Sequence, residues 1–277
     1  MLNTPGLDAV CLATPVGSHF SLAMKAIEAG KHVLVEKPMA ATAEEARLLR
    51  DAAVERQLTL MVGHTFVYTG AVRKIKELVS SGELVDIYYY DGVRANLGLF
   101  QHDVNVLWNL AIHDLSILDF VIGKTPTAVS ATGLSQLPGQ WESVAYLTLF
   151  YEENLIAHLH VNWLVPVKIR RTIIGGSKKM IIYDDLEPSE KVKIYDTGYD
   201  LKNDEDKRKI LVDYRTGDIY TPKIDRKEAL AGVSSDFINA INTGQNPVSN
   251  SESGLAVVRI LEASQHSIKH MGAEVVL

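Results

Sequence analysis

The chain opens with short apolar runs separated by amphipathic stretches. Residues 8–14, Asp-Ala-Val-Cys-Leu-Ala-Thr, form a continuous apolar run that predicts a strand covered on both faces of a parallel sheet. Pro15 and Gly17 break it. Residues 18–29 predict a helix, with Ser18 as N-cap and Gly30 as the C-terminal stop. His32-Val-Leu-Val-Glu36 predicts a second buried strand, ending at Lys37-Pro38. Thr42 followed by Glu45 is a capping box that opens a helix to about Arg56, and residues 58–63 predict a third strand. The order strand–helix–strand–helix–strand implies a parallel sheet with right-handed crossovers. Ligands bind such sheets at the C-terminal ends of the strands, which is where Thr14-Pro15, Glu36-Lys37-Pro38 and His64 fall.

The character changes after the next helix, predicted over 71–80 and stopped by Gly82. Residues 84–95 alternate and are rich in Tyr, Val and Ile, which favours a strand. Between Asp103 and Asp119, Val106, Leu107, Leu110, Ile117 and Leu118 recur near the helical period. From Thr127 to about Tyr220 come short runs with turn residues between them: 128–132, 144–150, 155–163, 169–175, 180–183, 192–195 and 210–214. This spacing predicts an antiparallel sheet, with Glu152-Glu153-Asn154 as a hairpin turn. Residues 197–209, dense in charge, read as a solvated loop. Residues 226–242 and 251–271 predict two closing helices and 274–277 a last strand. The fold class is therefore α/β with a parallel sheet over residues 1–66. An α+β region with a large, mostly antiparallel sheet backed by helices follows over 67–277. Such a sheet leaves one face to pack on another subunit, so a homo-oligomer through the second region is expected.

Composition narrows the partners. The 277 residues are 47% hydrophobic and 22% charged, a globular profile. A net charge of −6, with lysines and arginines dispersed, argues against nucleic acid. No apolar run reaches the length of a membrane span, and the first residues lack the plan of a signal peptide. The lone cysteine, Cys11, cannot form an internal disulfide and reads as a small buried residue in a strand. This suits a reducing cytoplasm.

The chemistry gathers on the helix around residue 113. Asn109 and His113, four apart, project from one face, one turn from each other. A neutral imidazole with a polar partner is an acid/base device; the alternative is a histidine that caps a core pocket. His158 and His160 share one side of a strand without a third ligand nearby, so they read as a sheet-surface pair and no metal site is expected.

Two stretches then carry a resemblance. Ala9-Val-Cys-Leu-Ala-Thr-Pro15, His19 and Ala29-Gly-Lys-His-Val-Leu-Val-Glu-Lys-Pro38 resemble the first signature of the Gfo/Idh/MocA oxidoreductases, the glucose–fructose oxidoreductase and inositol dehydrogenase relatives. Leu110-Ala-Ile-His-Asp-Leu115 resembles the second, and residues 254–277 resemble the family's closing helix and strand. The stretch Tyr90 to Trp108, with Arg94, Asn96, Gly98 and Phe100, and the stretch Asn162 to Arg170 are similar to the subgroup acting on nucleotide-linked amino sugars and similar sugars. The resemblance implies hydride transfer between a sugar or polyol carbon and the nicotinamide of NAD or NADP. It implies that Lys37 contacts the nicotinamide ribose and the reacting hydroxyl, that the Lys37–Pro38 bond is cis, and that His113 is the general base. Thr14, Pro15, His19, Glu36 and His64 become contacts along the cofactor edge, although Thr14, His19 and His64 could equally cap strand or helix ends. Arg94, Asn96, Trp163, Lys168 and Arg170 become substrate-side residues, cations there suiting a phosphate or carboxylate; core packing is the alternative for Trp163. A small-molecule sugar or nucleotide sugar is the expected partner.

Two departures stand against the resemblance. The Gly-x-Gly-x-x-Gly turn of a Rossmann half is not in the sequence. About two βα units of roughly 30 residues each are missing, so the first region reads as an incomplete dinucleotide-binding domain. A start at an internal methionine of a longer protein is the favoured explanation, and the chain by itself is expected to show little or no NAD-dependent activity. Asn109 stands where relatives often carry aspartate, so a weaker base is expected, with Asp114 and Asp103 as possible substitutes. A non-catalytic, ligand-binding or oligomeric interaction protein is the rival reading.

Overall fold

In the computed structural model, residues 1–97, 104–136, 141–196, 198–200, 213–215 and 217–277 are described. Strands β1 (Ala9–Leu12), β2 (His32–Val35) and β3 (Leu60–Val62) form a parallel sheet in that order. Helices α1 (His19–Glu28) and α2 (Ala43–Glu55) are its crossovers. Gly30, at φ +72°, ends the turn after α1, a conformation that suits glycine. Thr42 caps α2 by accepting from the Glu45 N–H at 3.1 Å, while Glu45 returns to the Ala41 N–H at 3.1 Å, one residue earlier than a capping box predicts. Ser18 does not cap α1: its hydroxyl donates back to Thr14 Oγ1 and the Pro15 carbonyl, tightening the turn instead. Cys11 also departs from expectation and is exposed. Among the described residues β1 pairs with β2 alone, so its other edge is unpaired, and of its four residues Val10 alone is buried rather than the whole run being covered on both faces.

After a 3₁₀ turn at Thr65–Tyr68 come α3 (Gly70–Ser80) and β4 (Ile87–Ala95). A π-helical turn, Leu107–Ala111, leads into α4 (Ile112–Ile122), which stops at Gly123 with φ +67°. The antiparallel run follows as β5 (Ala128–Leu134), β6 (Val144–Phe150), β7 (Ile156–Asn162), β8 (Ile169–Gly176), β9 (Met180–Asp184) and β10 (Val192–Tyr195). Residues 152–154 form the hairpin loop between β6 and β7, with Glu153 and Asn154 at φ 63° and 61°. Within the stretch expected to be a loop, β11 (Gly198–Asp200) pairs with β12 (Asp213–Arg215). Strand β13 (Ile219–Tyr220), helices α5 (Ala229–Thr243) and α6 (Ser251–Lys269), and strand β14 (Val275–Val276) complete the chain.

The large sheet has nine strands, β13-β10-β9-β8-β4-β7-β6-β5-β14, with β4 and β7 its parallel pair. Alternation decides its faces: Ala145, Leu147 and Leu149 are buried against the helices, while Tyr146 stands on the open face, stacked on His160 at 4.5 Å. His158 leans toward Asp91 at 3.4 Å. Among the described residues no group of three or more His, Cys, Asp or Glu side chains forms a metal site, and no helix is long and apolar enough to cross a membrane.

Helix α6 knits the two sheets, packing on α2 and β3 on one side and on β5 and α4 on the other. One hydrophobic core runs through both regions. The close approach to β3 falls at Gly254, where a Cβ would lie 2.6 Å from Val62 Cγ2 and 3.0 Å from Met39 Sδ. A Gly254→Ala substitution therefore overpacks a buried seam and is expected to cost about 1–3 kcal/mol; urea unfolding of the two proteins measures it.

Candidate active site

Lys37 leaves the tip of β2 on a turn held from two sides. The Lys37–Pro38 bond is cis. His19, at the start of α1 and 1% exposed, sets Nδ1 at 2.8 Å from the Pro38 carbonyl and Nε2 at 2.7 Å from the Thr14 carbonyl. It thus ties the loop after β1 to the loop after β2. His19 is a buried clamp beneath the rim, whereas Thr14 and Pro15 are exposed upon it. Glu36 accepts from the Lys37 N–H at 3.3 Å. Its carboxylate lies against Gly63, whose absent Cβ leaves it room. Burial foremost, opposed by Glu36 and reinforced by Arg94, lowers Lys37 from the ordinary lysine range.

His113 comes from the other region, and the two residues share one site. The charges of Lys37, Arg94 and Arg170 all act on His113, and with burial as the leading cause they hold it well below the ordinary histidine value. Its ring meets Phe66 edge-on at 5.1 Å. The same phenyl ring carries the Arg94 guanidinium at 4.6 Å and that of Arg170 at 5.6 Å. Phe66 is therefore the floor on which the site is assembled. It was not singled out in the sequence, where its only signal is its place two residues beyond His64 at the end of β3. His64 is buried, and neither ring nitrogen has a hydrogen-bond partner among the described residues. Burial, with the Lys37 charge, holds it down at about 4.

The remaining candidates divide. Arg94 is 3% exposed and forms a two-pronged ion pair with Asp114, at 2.7 and 3.0 Å. It is held in that pair beneath the site, and Asp114 is spent on it rather than on His113. Trp163 is 1% exposed and packs in the core, the alternative that the sequence left open for it. Its indole N–H donates to Asn109 Oδ1 at 3.1 Å. Asn109 thus positions Trp163, not His113. The cause is the π-helical turn at Leu107–Ala111, which breaks the simple four-residue alignment assumed for an α-helix. Asn105 starts this turn by accepting from the Leu107 and Trp108 N–H groups at 3.1 and 3.2 Å. Arg170 is half-buried, donates to Asp185 at 3.0 Å, and keeps a buried Nε without a partner. Asn96 is half-buried and Lys168 exposed, both flanking the strand ends. Gly98, Phe100 and Asp103 lie outside the described residues.

Side chains from a parallel-sheet rim and from a helix over an antiparallel sheet thus converge in one place. This is the architecture of a two-part oxidoreductase whose first part is of Rossmann type. Residues 1–64 match the family described as oxidoreductases with an NAD-binding Rossmann fold, and residues 72–182 match the GFO/IDH/MocA C-terminal domain. The chain is 30% identical to scyllo-inositol 2-dehydrogenase (NADP(+)) of Bacillus subtilis, over 96% of this chain and 78% of that protein. It is 29% identical to UDP-N-acetylglucosamine 3-dehydrogenase of Acidithiobacillus ferrooxidans, over 85% of this chain and 70% of that one. A solved inositol dehydrogenase homolog from Azotobacter vinelandii, complexed with NADH and myo-inositol, superposes with a TM-score of 0.81. That match covers 100% of this chain and 80% of the other at 19% identity, a likeness of fold. The protein belongs to the Gfo/Idh/MocA oxidoreductase family.

Two stability effects follow from this geometry. An Asp114→Asn substitution strands a buried guanidinium and is expected to cost about 3 kcal/mol, read by chemical denaturation. His64 is held neutral in the fold, so the unfolded chain binds the extra proton between pH 6.5 and 4, and stability falls as pH drops through that window. With the folded value at about 4, a His64→Gln protein is expected to lack a loss of about 3 kcal/mol between those limits. Paired denaturation curves across that pH range test this.

Proposed function

We propose that the protein transfers a hydride between the nicotinamide of NAD or NADP and a hydroxyl-bearing carbon of a sugar or nucleotide sugar. In this reading residues 1–66 supply the cofactor rim and residues 67–277 the substrate side. What carries it is the placement of His113 edge-on against Phe66, with the Lys37 charge from the strand tip acting on its ring.

The residues present suit the nicotinamide end of such a cofactor. Lys37 forms no side-chain hydrogen bond among the described residues, and His64 keeps two buried nitrogens without a partner beside it. These are donors and acceptors that a polar ring and its ribose would satisfy. A glycine cradle for the pyrophosphate is not found among the described residues: Gly17, at the start of the first crossover, has open space where its Cβ would stand. When bound, the cofactor supplies the hydride acceptor or donor.

The protein's own groups do the rest. His113 is neutral at pH 7 because burial and three nearby cations disfavour its charged form, so it is ready to take the hydroxyl proton as the alcohol is oxidised. Those cations reduce its basicity, and Asp114 does not restore it, being paired with Arg94. Lys37, as an ammonium, lowers the cost of the developing alkoxide. Phe66 and the buried Arg94 wall the site from water. On the substrate side Arg170, Asn96 and Lys168 are the groups left to read hydroxyls or an anionic substituent. A second copy of the chain is the proposed partner of the large sheet's open face, where Tyr89, Tyr146 and Ile156 stand exposed.

Two measurements test this. Calorimetry with NAD and with NADP is expected to give binding that Lys37→Met weakens. In a steady-state assay following NAD(P)H absorbance, the turnover of the wild-type chain is expected to be low without the Gly-x-Gly-x-x-Gly turn, and His113→Ala is expected to lower kcat/KM by about a further 10²–10⁴-fold. The wild-type profile is expected to keep its acid limb below pH 6.5, because His113 must be neutral to accept the proton, and to fall again below pH 10.5 as Lys37 loses its charge. Unchanged turnover in His113→Ala would sink the reading.

A further inference from the structure

The hydrogen bonds of His19 fix its charge. The residue is 1% exposed, with Nδ1 at 2.8 Å from the Pro38 carbonyl oxygen and Nε2 at 2.7 Å from the Thr14 carbonyl oxygen. Both partners are peptide oxygens, which accept hydrogen bonds and never donate them. A neutral imidazole has one N–H and one nitrogen lone pair. It therefore satisfies one of these oxygens and sets a lone pair against the other. Only a ring with hydrogen on both nitrogens makes two bonds at such distances. Bonds from a charged donor are also the short, strong kind, about twice the strength of neutral ones.

Peptide dipoles, not a counter-ion, meet this charge. The elements packed on α1 are β1, β2 and α2. The charged groups nearest the ring along them are Glu36 and Lys37 at the tip of β2 and Glu44 and Glu45 at the start of α2. Among the described residues none of these bonds His19. Glu36 accepts from the Lys37 N–H, Glu45 from the Ala41 N–H, and Glu44 pairs with Arg47. The two carbonyls belong to different loops, each at the C-terminal end of a parallel strand, where such sheets bind ligands. Pro38 is the residue directly after Lys37. The Lys37 side chain forms no hydrogen bond of its own among the described residues, so the backbone that carries it decides where its ammonium stands.

We infer that His19 is a positioning residue that works as an imidazolium: its two N–H groups draw the loops after β1 and β2 onto one ring and so fix the seat of Lys37. A neutral ring would release one loop or the other. The task of Lys37 in hydride transfer rests on the reading given above, whereas the charge on His19 and its hold on the loops do not. The role of His19 is thus exerted through Lys37, without contact with a reacting atom.

Two measurements on the 277-residue chain test this without nicotinamide or turnover. The first is a long-range proton–nitrogen NMR spectrum with isotope-labelled histidine at pH 7, where an unconstrained histidine is mostly neutral. His19, assigned by the signals lost in His19→Gln, is expected to show two protonated ring nitrogens. One protonated and one lone-pair nitrogen at His19 overturns the inference. The second is hydrogen–deuterium exchange, read by mass spectrometry on peptides covering residues 13–20 and 36–42. His19→Phe keeps a buried ring but no donor, and is expected to speed exchange in both loops by about tenfold or more. His19→Gln, which retains a neutral N–H donor, is expected to fall between it and wild type. Lys37→Met is expected to leave both loops and both His19 nitrogens as in wild type, since the hold runs from His19 to Lys37. Wild-type exchange in His19→Phe, or equal loosening by Lys37→Met, also overturns the inference. Circular dichroism establishes that each variant is folded; should His19→Phe not fold, the wild-type nitrogen spectrum and His19→Gln decide. Failure here leaves the His113 assay free to succeed, and a silent His113 assay with a doubly protonated His19 faults the hydride reading alone.

Discussion

The buried pair between Arg94 and Asp114 is the constraint on which the site's geometry depends. It joins the end of β4 to the first turn of α4 through two charge-assisted bonds in a water-poor place. Because Asp114 is the neighbour of His113, anchoring one fixes where the other's backbone lies. The same guanidinium rests on Phe66, which follows directly from β3. One side chain thus refers the second region's helix to the first region's strand end. Two charges buried together hold this alignment more strictly than apolar contact, since either left alone carries a large desolvation penalty.

The electrostatics of the pocket follow from that pair. Asp114 is engaged by Arg94, and after burial the charges of Arg94, Lys37 and Arg170 act on His113 against its protonation. A histidine in such surroundings stays neutral, which suits proton acceptance but makes it a modest base. Asn109 does not relieve this, being committed to the Trp163 indole. Positive charge in the pocket instead favours an anion over a cation there. One arrangement thereby sets both the base strength of the histidine and the charge preference of the cleft.

The two sheets act as one body because α6 buries residues against both. Gly254 lets it approach β3, while Ser267 reaches the Ala131 N–H at 2.8 Å on the far side. Tyr68 adds a polar tie from the 3₁₀ turn after β3 to Asp236 at 2.7 Å and Ser249 at 3.1 Å. A site built from distant stretches of chain needs this rigidity, since its groups must stay within bonding tolerance.

The sequence by itself determined the elements and their order. Strand and helix periods were legible because burial imposes a repeat of two or 3.6 along the chain, and turn residues such as Glu153-Asn154 act locally. Short contiguous motifs also singled out Lys37 and His113, and the family resemblance they carry implied the cis bond that the structure shows. What it could not express was who pairs with whom across long separations. Arg94 and Asp114 read as independent charges, Asn109 as a partner of His113, and Cys11 as a buried residue. The tertiary structure decided otherwise in each case, because packing of β4, β7 and the π-helical turn into one core chooses partners by proximity in space. A π turn carries no distinct composition, and the exposure of Cys11 depends on what packs over β1 rather than on the apolar run it sits in.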